Sequence, residues 1–313
     1  MEPRSPLAVL FLAVSLSADE GALDPSIRPQ DIQSHVNFLA SDELKGRSAK
    51  SKEARTAAHY IADHFKRFGL EPLPRPESGG ESYFHPLKSS EIAPNVVAAL
   101  AGSGEGYVLV TAHYDHLPPK ASGTDRIYNG ADDNASGTAG LLEIAHAFAA
   151  REKRPSATIV FIAFTAEEMG LRGSRYFVAN PPLPLEEIRG VVNLDMISRG
   201  KQNLIYCEGG EYEIMRNAAD KANRRVGLNI RYDEHPEWRA QSDHSPFMKK
   251  GIPTLYFGVE NHPDYHRVSD HADRILADLA TRVSELTFLL VLDVAKETSA
   301  KPEEILEEGP EEG

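Results

Sequence analysis

The chain has 313 residues, 41% of them hydrophobic, enough apolar material to bury a sizeable core in one α/β domain. A formal net charge of -13 without any cluster of Lys and Arg argues against nucleic-acid binding, because phosphate recognition needs a concentrated basic surface. The lone Cys207 excludes an intrachain disulfide.

Taken in chain order, residues 1–18 read as a secretory leader: Arg4 is a short basic region, 6–16 an apolar core, and Ser15, Ser17 and Ala18 are small residues near a cleavage site. Glu2 and Leu16 depart from that pattern, and the competing reading is a loose or buried N-terminus. The leader implies a secreted or periplasmic protein. The run falls short of the roughly 20 apolar residues a bilayer requires, so no membrane span is expected. The folded domain is read as 19–295. Residues 296–313, rich in Glu, Lys and Pro, are read as an acidic disordered tail.

Within the domain, 29–44 suggests a short helix. A clearer one carries Ala54, Ala58, Ile61, Phe65 and Phe68 at spacings of three and four, with Gly69 placed to end it. Residues 72–82 form a loop by composition. Short β-rich runs follow at 95–100, 107–112, 158–164, 190–195 and 253–257, alternating with helical segments at 136–150, 212–225 and 273–295. This alternation predicts a single α/β domain with a mixed, mostly parallel sheet sandwiched between helices. In such sheets ligands gather at the carboxyl ends of the strands.

The chemistry-bearing residues lie at those ends. The run at 107–112 delivers His113, with Asp115 two residues on; a metal-bound imidazole needs a partner for its other nitrogen, and Asp115 is the sequence candidate. Alone, this His-x-Asp is more often a surface histidine beside an acidic loop. Asn129-Gly130-Ala131-Asp132-Asp133-Asn134-Ala135-Ser136-Gly137 leads into a helix, and capping by Asn134 or Ser136 explains part of it. Capping does not need two adjacent aspartates, whose repulsion a cation would relieve, and one carboxylate can bridge two metals. After the run at 158–164 come Glu167 and Glu168, one able to bind metal and the other to act as a base. Asp195 ends the next run, and Tyr265-His266 brings an imidazole from a distant loop. Two imidazoles and three carboxylates suit a pair of zinc ions, whereas calcium prefers more oxygens and no imidazole.

With these motifs in view, the sequence resembles the zinc aminopeptidases that carry a cocatalytic metal pair, a family related to glutaminyl cyclases and to some carboxypeptidases. The resemblance begins at Phe38-Leu-Ala-Ser-Asp-Glu-Leu-Lys-Gly46-Arg47 and continues through AHYDH, NGADDNASG, FTAEEMGLRGS and NLDM to QSDHSPF and DYHRVSD. It implies a catalytic domain over 19–295 that holds two zinc ions: His113 and Asp195 on one, Glu168 and His266 on the other, Asp132 bridging. It further implies Glu167 as general base, Asp115 as partner of His113, a cis peptide between Asp132 and Asp133, and Tyr265 as a candidate oxyanion donor. The expected substrates are peptides with a free N-terminus. A cyclase-like or carboxypeptidase-like enzyme on the same scaffold is the alternative; a cyclase would generally work with one zinc and a Trp-lined pocket, whereas Trp238, close to QSDHSPF, is the only Trp of the sequence. A metal-free binding ectodomain is a third reading, against which stands a competent residue type at every site position.

Overall fold

The computed structural model describes residues 24, 26–73 and 82–296; the leader read at 1–18 and all but Lys296 of the tail read at 296–313 lie outside the described residues, as does most of the loop read at 72–82. The strands are β1 (Phe84–His85), β2 (Asn95–Leu100), β3 (Tyr107–His113), β4 (Thr158–Phe164), β5 (Ile188–Leu194), β6 (Leu204–Glu208), β7 (Asn229–Tyr232) and β8 (Thr254–Gly258). They form one sheet in the order β1-β2-β4-β3-β5-β8-β6-β7. Its centre, β4-β3-β5-β8, is parallel throughout, while β2 and β6 run antiparallel to it on either side. The mixed, mostly parallel sheet anticipated from the sequence is what forms.

Both faces of the central strands are buried, which is why β3 and β4 read as unbroken apolar runs rather than alternating ones. Alternation reappears in which core each residue joins. Val108, Val110, Ala112, Ile159, Phe161 and Ala163 pack on one face; Leu109, Val160, Ile162 and Phe164 pack on the other. The first face is covered by α1 (Pro29–Leu39), α2 (Lys52–Arg67), α3 (Gly137–Ala150), α5 (Glu213–Val226) and α7 (Ala277–Val294). The second is covered by the short α4 (Arg172–Ala179) and α6 (Ser245–Met248), through Phe177, Val178 and Phe247.

Local chemistry sets the helix ends. Ser51 caps α2 by accepting from Ala54 N at 3.0 Å, and Gly69 takes φ +75° just after it. The segment at 29–44 is not one helix. It stops at Leu39 and resumes as a 3-10 turn over Asp42–Leu44, which ends where Lys45, Gly46 and Arg47 take positive φ. None of the helices among the described residues is long and apolar enough to cross a membrane.

Candidate metal centre and cleft

Because β4, β3, β5 and β8 are parallel, their carboxyl ends lie at one edge of the sheet. His113 closes β3, Glu167 and Glu168 follow β4, Asp195 follows β5, and the loop after β8 carries His262, Tyr265 and His266. Ala166, Met196 and His266 in these loops have φ of 55°, 61° and 53°, a left-handed conformation that costs non-glycine residues energy and clusters at functional sites.

Two groups of ligand-capable atoms converge there. His113 Nε2 lies 3.3 Å from Asp195 Oδ1 and 3.5 Å from Asp133 Oδ1. His266 Nε2 lies 3.1 Å from Asp133 Oδ2 and 3.4 Å from Glu168 Oε2. Atoms about 2.0–2.1 Å from one tetrahedral zinc lie roughly 3.3 Å apart, so these are the separations of neighbours in a shared coordination shell. Asp133 therefore offers one oxygen to each group. Four carboxylates, Asp133, Glu167, Glu168 and Asp195, line a single cleft of about 400 Å³ with His113 and His266. Such crowding of acids is relieved by cations, and the mixed nitrogen and oxygen donors fit zinc.

Asp132, expected as the bridging carboxylate, belongs elsewhere. Its Oδ1 accepts from Ser198 N at 2.8 Å and Ser198 Oγ at 2.6 Å, and its Oδ2 lies 3.1 Å from His262 Nε2. Adjacent residues point in different directions, and here the first anchors two loops while the second faces the cleft. The cis peptide likewise falls one residue later than expected, between Asp133 and Asn134. Asn134 Oδ1 accepts from Gly137 N at 2.9 Å, the capping role read for it. A third adjustment concerns His113: Nδ1 meets the Asp115 backbone carbonyl at 3.1 Å, while the Asp115 carboxylate is 3.9 Å away and instead accepts from Glu167 N at 3.1 Å.

Residues the sequence did not single out hold this arrangement. Arg47 is fully buried and donates to the carbonyls of Tyr114 at 2.6 Å, Leu39 at 2.9 Å, Asn129 at 2.5 Å and Gly130 at 2.7 Å. Burial lowers its pKa to about 10, which leaves it cationic behind the acidic loop at neutral pH. Asp270 accepts from the backbone N–H groups of Asp132 and Asp133 at 3.0 and 3.2 Å. Asn95 accepts from Thr165 N and donates to Gly173 O at 3.1 Å each, pinning both ends of the turn that carries Glu167 and Glu168. Ser242 donates to Asp195 Oδ2 at 2.6 Å. Arg47 and Ser242 lie inside motifs quoted above, but only three-dimensional contact gives them a task.

The electrostatics follow from proximity. Burial works against charge on His113, yet Asp195 and Glu167 raise its pKa well above the ordinary value. His266 rises to about 10, burial again being outweighed by hydrogen bonds to Asp133 and Glu168. Burial opposes ionisation of Glu168, but bonds with His116 and His266 hold it well below the carboxylate range. Glu167 goes the opposite way: burial, with Asp243, Asp195 and Glu168 nearby, outweighs the pull of His113 and raises its pKa. Two adjacent glutamates thus diverge, one held as an anion and the other inclined to take a proton. Tyr265 stacks on His266 with ring centroids 4.0 Å apart and lines the cleft, as do Trp238, Tyr256 and Arg175.

Residues 95–291 match the sequence model of peptidase family M28. The chain belongs to this family. The resemblance read from the motifs, and the fold expected with it, stand. A probable zinc metalloprotease of Pyricularia oryzae is 30% identical over 227 residues, covering 66% of this chain and 45% of that protein. Aminopeptidase YwaD of Bacillus subtilis is 29% identical over 208 residues, covering 63% and 43%. The chain spans less than half the length of these two curated relatives. Among solved structures, LapB of Legionella pneumophila superposes with a TM-score of 0.72 at 25% identity, over 88% of this chain and 74% of that one. BSAP, a zinc aminopeptidase of Bacillus subtilis, gives 0.67 at 17% identity over 85% and 94%, a likeness of fold.

Proposed function

We propose that this chain is a zinc-dependent aminopeptidase that cleaves the first peptide bond of substrates with a free N-terminus. One observation carries the reading: Asp133 presents one oxygen to His113 and Asp195 and the other to His266 and Glu168, with Glu167 at the same cleft. The M28 membership and the zinc enzymes among the relatives support it. In this assignment His113 and Asp195 would hold one zinc, His266 and Glu168 the other, with Asp133 available to both.

Bound there, the ions would supply Lewis acidity, polarising the scissile carbonyl and bringing the pKa of a water toward neutrality. Glu167 is the general base: its carboxylate takes the proton of the attacking water and returns it to the departing amine. Tyr265, beside His266, is the candidate donor to the tetrahedral oxyanion. The acidic lining receives the substrate α-ammonium, which confines cleavage to the chain end.

Trp238 at the cleft favours a second reading, a cyclase acting on N-terminal glutamine. A glutaminyl cyclase of Bacteroides thetaiotaomicron shares the fold, with a TM-score of 0.64 at 20% identity. The deciding experiment measures zinc content together with hydrolysis of chromogenic amino-acid amides, free and N-blocked. Two zinc ions per chain and loss of rate on blocking support the aminopeptidase. One zinc with cyclisation of N-terminal glutamine sinks it. Export of the chain, read from residues 1–18, belongs to the proposal and is tested by N-terminal sequencing of secreted material.

A further inference from the structure

His116 is a buried imidazole in the metal centre to which neither the sequence motifs nor the zinc assignment gives a task. Its Nδ1 lies 2.7 Å from Glu168 Oε1 but 3.8 Å from Asp133 Oδ2. The contrast with the neighbouring pairs is informative. His113 and His266 stand 3.1–3.5 Å from their carboxylate neighbours, the spacing of two ligands on one zinc. The His116–Glu168 distance is shorter, that of a charge-assisted hydrogen bond. His116, Asp133 and Glu168 also lie close enough to ligate one ion together, the alternative that the imidazole count below decides.

The ring also has a built seat. A Cβ on Gly130 would come within 2.5 Å of His116 Cδ2 and 2.6 Å of Cγ, so the imidazole lies flat where only glycine leaves room. Gly130 has φ +59°, a second reason for glycine at that position. Tyr128 and His266 meet the ring edge-on, with centroids 6.4 and 5.7 Å away. Packed in this way, the ring presents Nδ1 to one oxygen of Glu168.

The geometry points to His116 as a positioning residue that donates from Nδ1–H to Glu168 Oε1 and thereby leaves Oε2, the oxygen facing His266, for the second zinc. This inference rests on the zinc-pair reading above. An ionised carboxylate only accepts hydrogen bonds, so the imidazole must carry its proton on Nδ1. Without this bond Glu168 could rotate or bind through either oxygen, and the outer half of the centre would lose its fixed geometry. Removing such a partner typically weakens metal affinity roughly 10–100-fold.

The test compares wild-type protein with His116→Ala and His116→Asn, reading zinc content by elemental analysis, affinity by chelator competition, and imidazoles per zinc by X-ray absorption. The wild type is expected to hold two zinc ions with one imidazole each on average. His116→Ala should keep one zinc at wild-type affinity and lose the other roughly 10–100-fold. His116→Asn, whose amide can present a donor near the place of Nδ1, should recover most of that loss with the imidazole count unchanged. The Asn variant carries the test if the Ala variant does not fold. The proposal is overturned if His116→Ala binds both ions normally, if the Asn variant is no better than Ala, or if the wild type shows three imidazoles for two zinc ions, which would make His116 a ligand. A wild type unable to hold a zinc pair would overturn the parent reading, an outcome visible before any variant is made.

Discussion

The two halves of the candidate metal centre are mounted differently. His113 and Asp195 sit at the ends of adjacent parallel strands, both buried, with Ser242 and the Asp115 carbonyl fixing their outer atoms. His266 comes from a long loop after β8 and keeps 36% of its side chain exposed; Glu168 comes from the turn after β4. Strand ends inherit the rigidity of the sheet, while a loop must be stapled. The staple is Asp264, which accepts from Ser269 at 2.6 Å, Arg274 at 2.7 Å and Arg199 at 2.9 Å. The lesson is that a shared carboxylate, Asp133, couples a stiff half-site to a softer one.

Breaking the shared residue should erase the difference between the halves: Asp133→Ala is expected to lose both ions and all measurable turnover, as zinc analysis and rate assays would register. Next in size, Glu167→Gln should slow turnover about 10²–10⁴-fold with both zinc ions retained. Unaltered rates would remove Glu167 from its role. Graded chelation sharpens the comparison directly. The ion on the His266 side should leave first, and the intermediate species should contain one zinc; simultaneous loss would show the halves to be equally firm.

The smallest effect concerns the staple. The bond from Ser269, helped by Arg199 and Arg274, holds the Asp264 carboxyl well below its ordinary pKa. A depressed folded-state pKa means stability present above about pH 4 and lost as pH falls through the folded value. Asp264→Asn should cost about 1.5–3 kcal/mol in thermal unfolding at neutral pH and flatten the stability profile below pH 4.

Much of this was legible in the sequence because strand and site coincide. The apolar runs at 95–100 and 158–164 became β2 and β4 with the same bounds, and the residues following the central strands converge as parallel topology requires. β6 and β7 were not anticipated; β7 is four residues long with alternating exposed and half-buried positions, too short to rise above its neighbours in a linear reading. The choice between Asp132 and Asp133 failed for a related reason. The residue types are identical, and only the placement of Ser198 and His262, distant in sequence, shows which carboxylate is already engaged. His116 was hidden in the same way, since its task depends on Gly130 and Glu168 rather than on its immediate neighbours.

The buried Arg47 ties the first α-helical layer to the acidic loop, through Leu39 on one side and Asn129 and Gly130 on the other. The segment matched by the family, 95–291, contains every proposed zinc ligand and yet omits this guanidinium. A minimal fragment cut to those limits would therefore carry the full set of donors and be unable to arrange them, because the loop carbonyls that Arg47 gathers would have nothing to converge on. Trimming this protein to its recognisable motifs is the wrong way to make it smaller; a shortened version should begin ahead of α1.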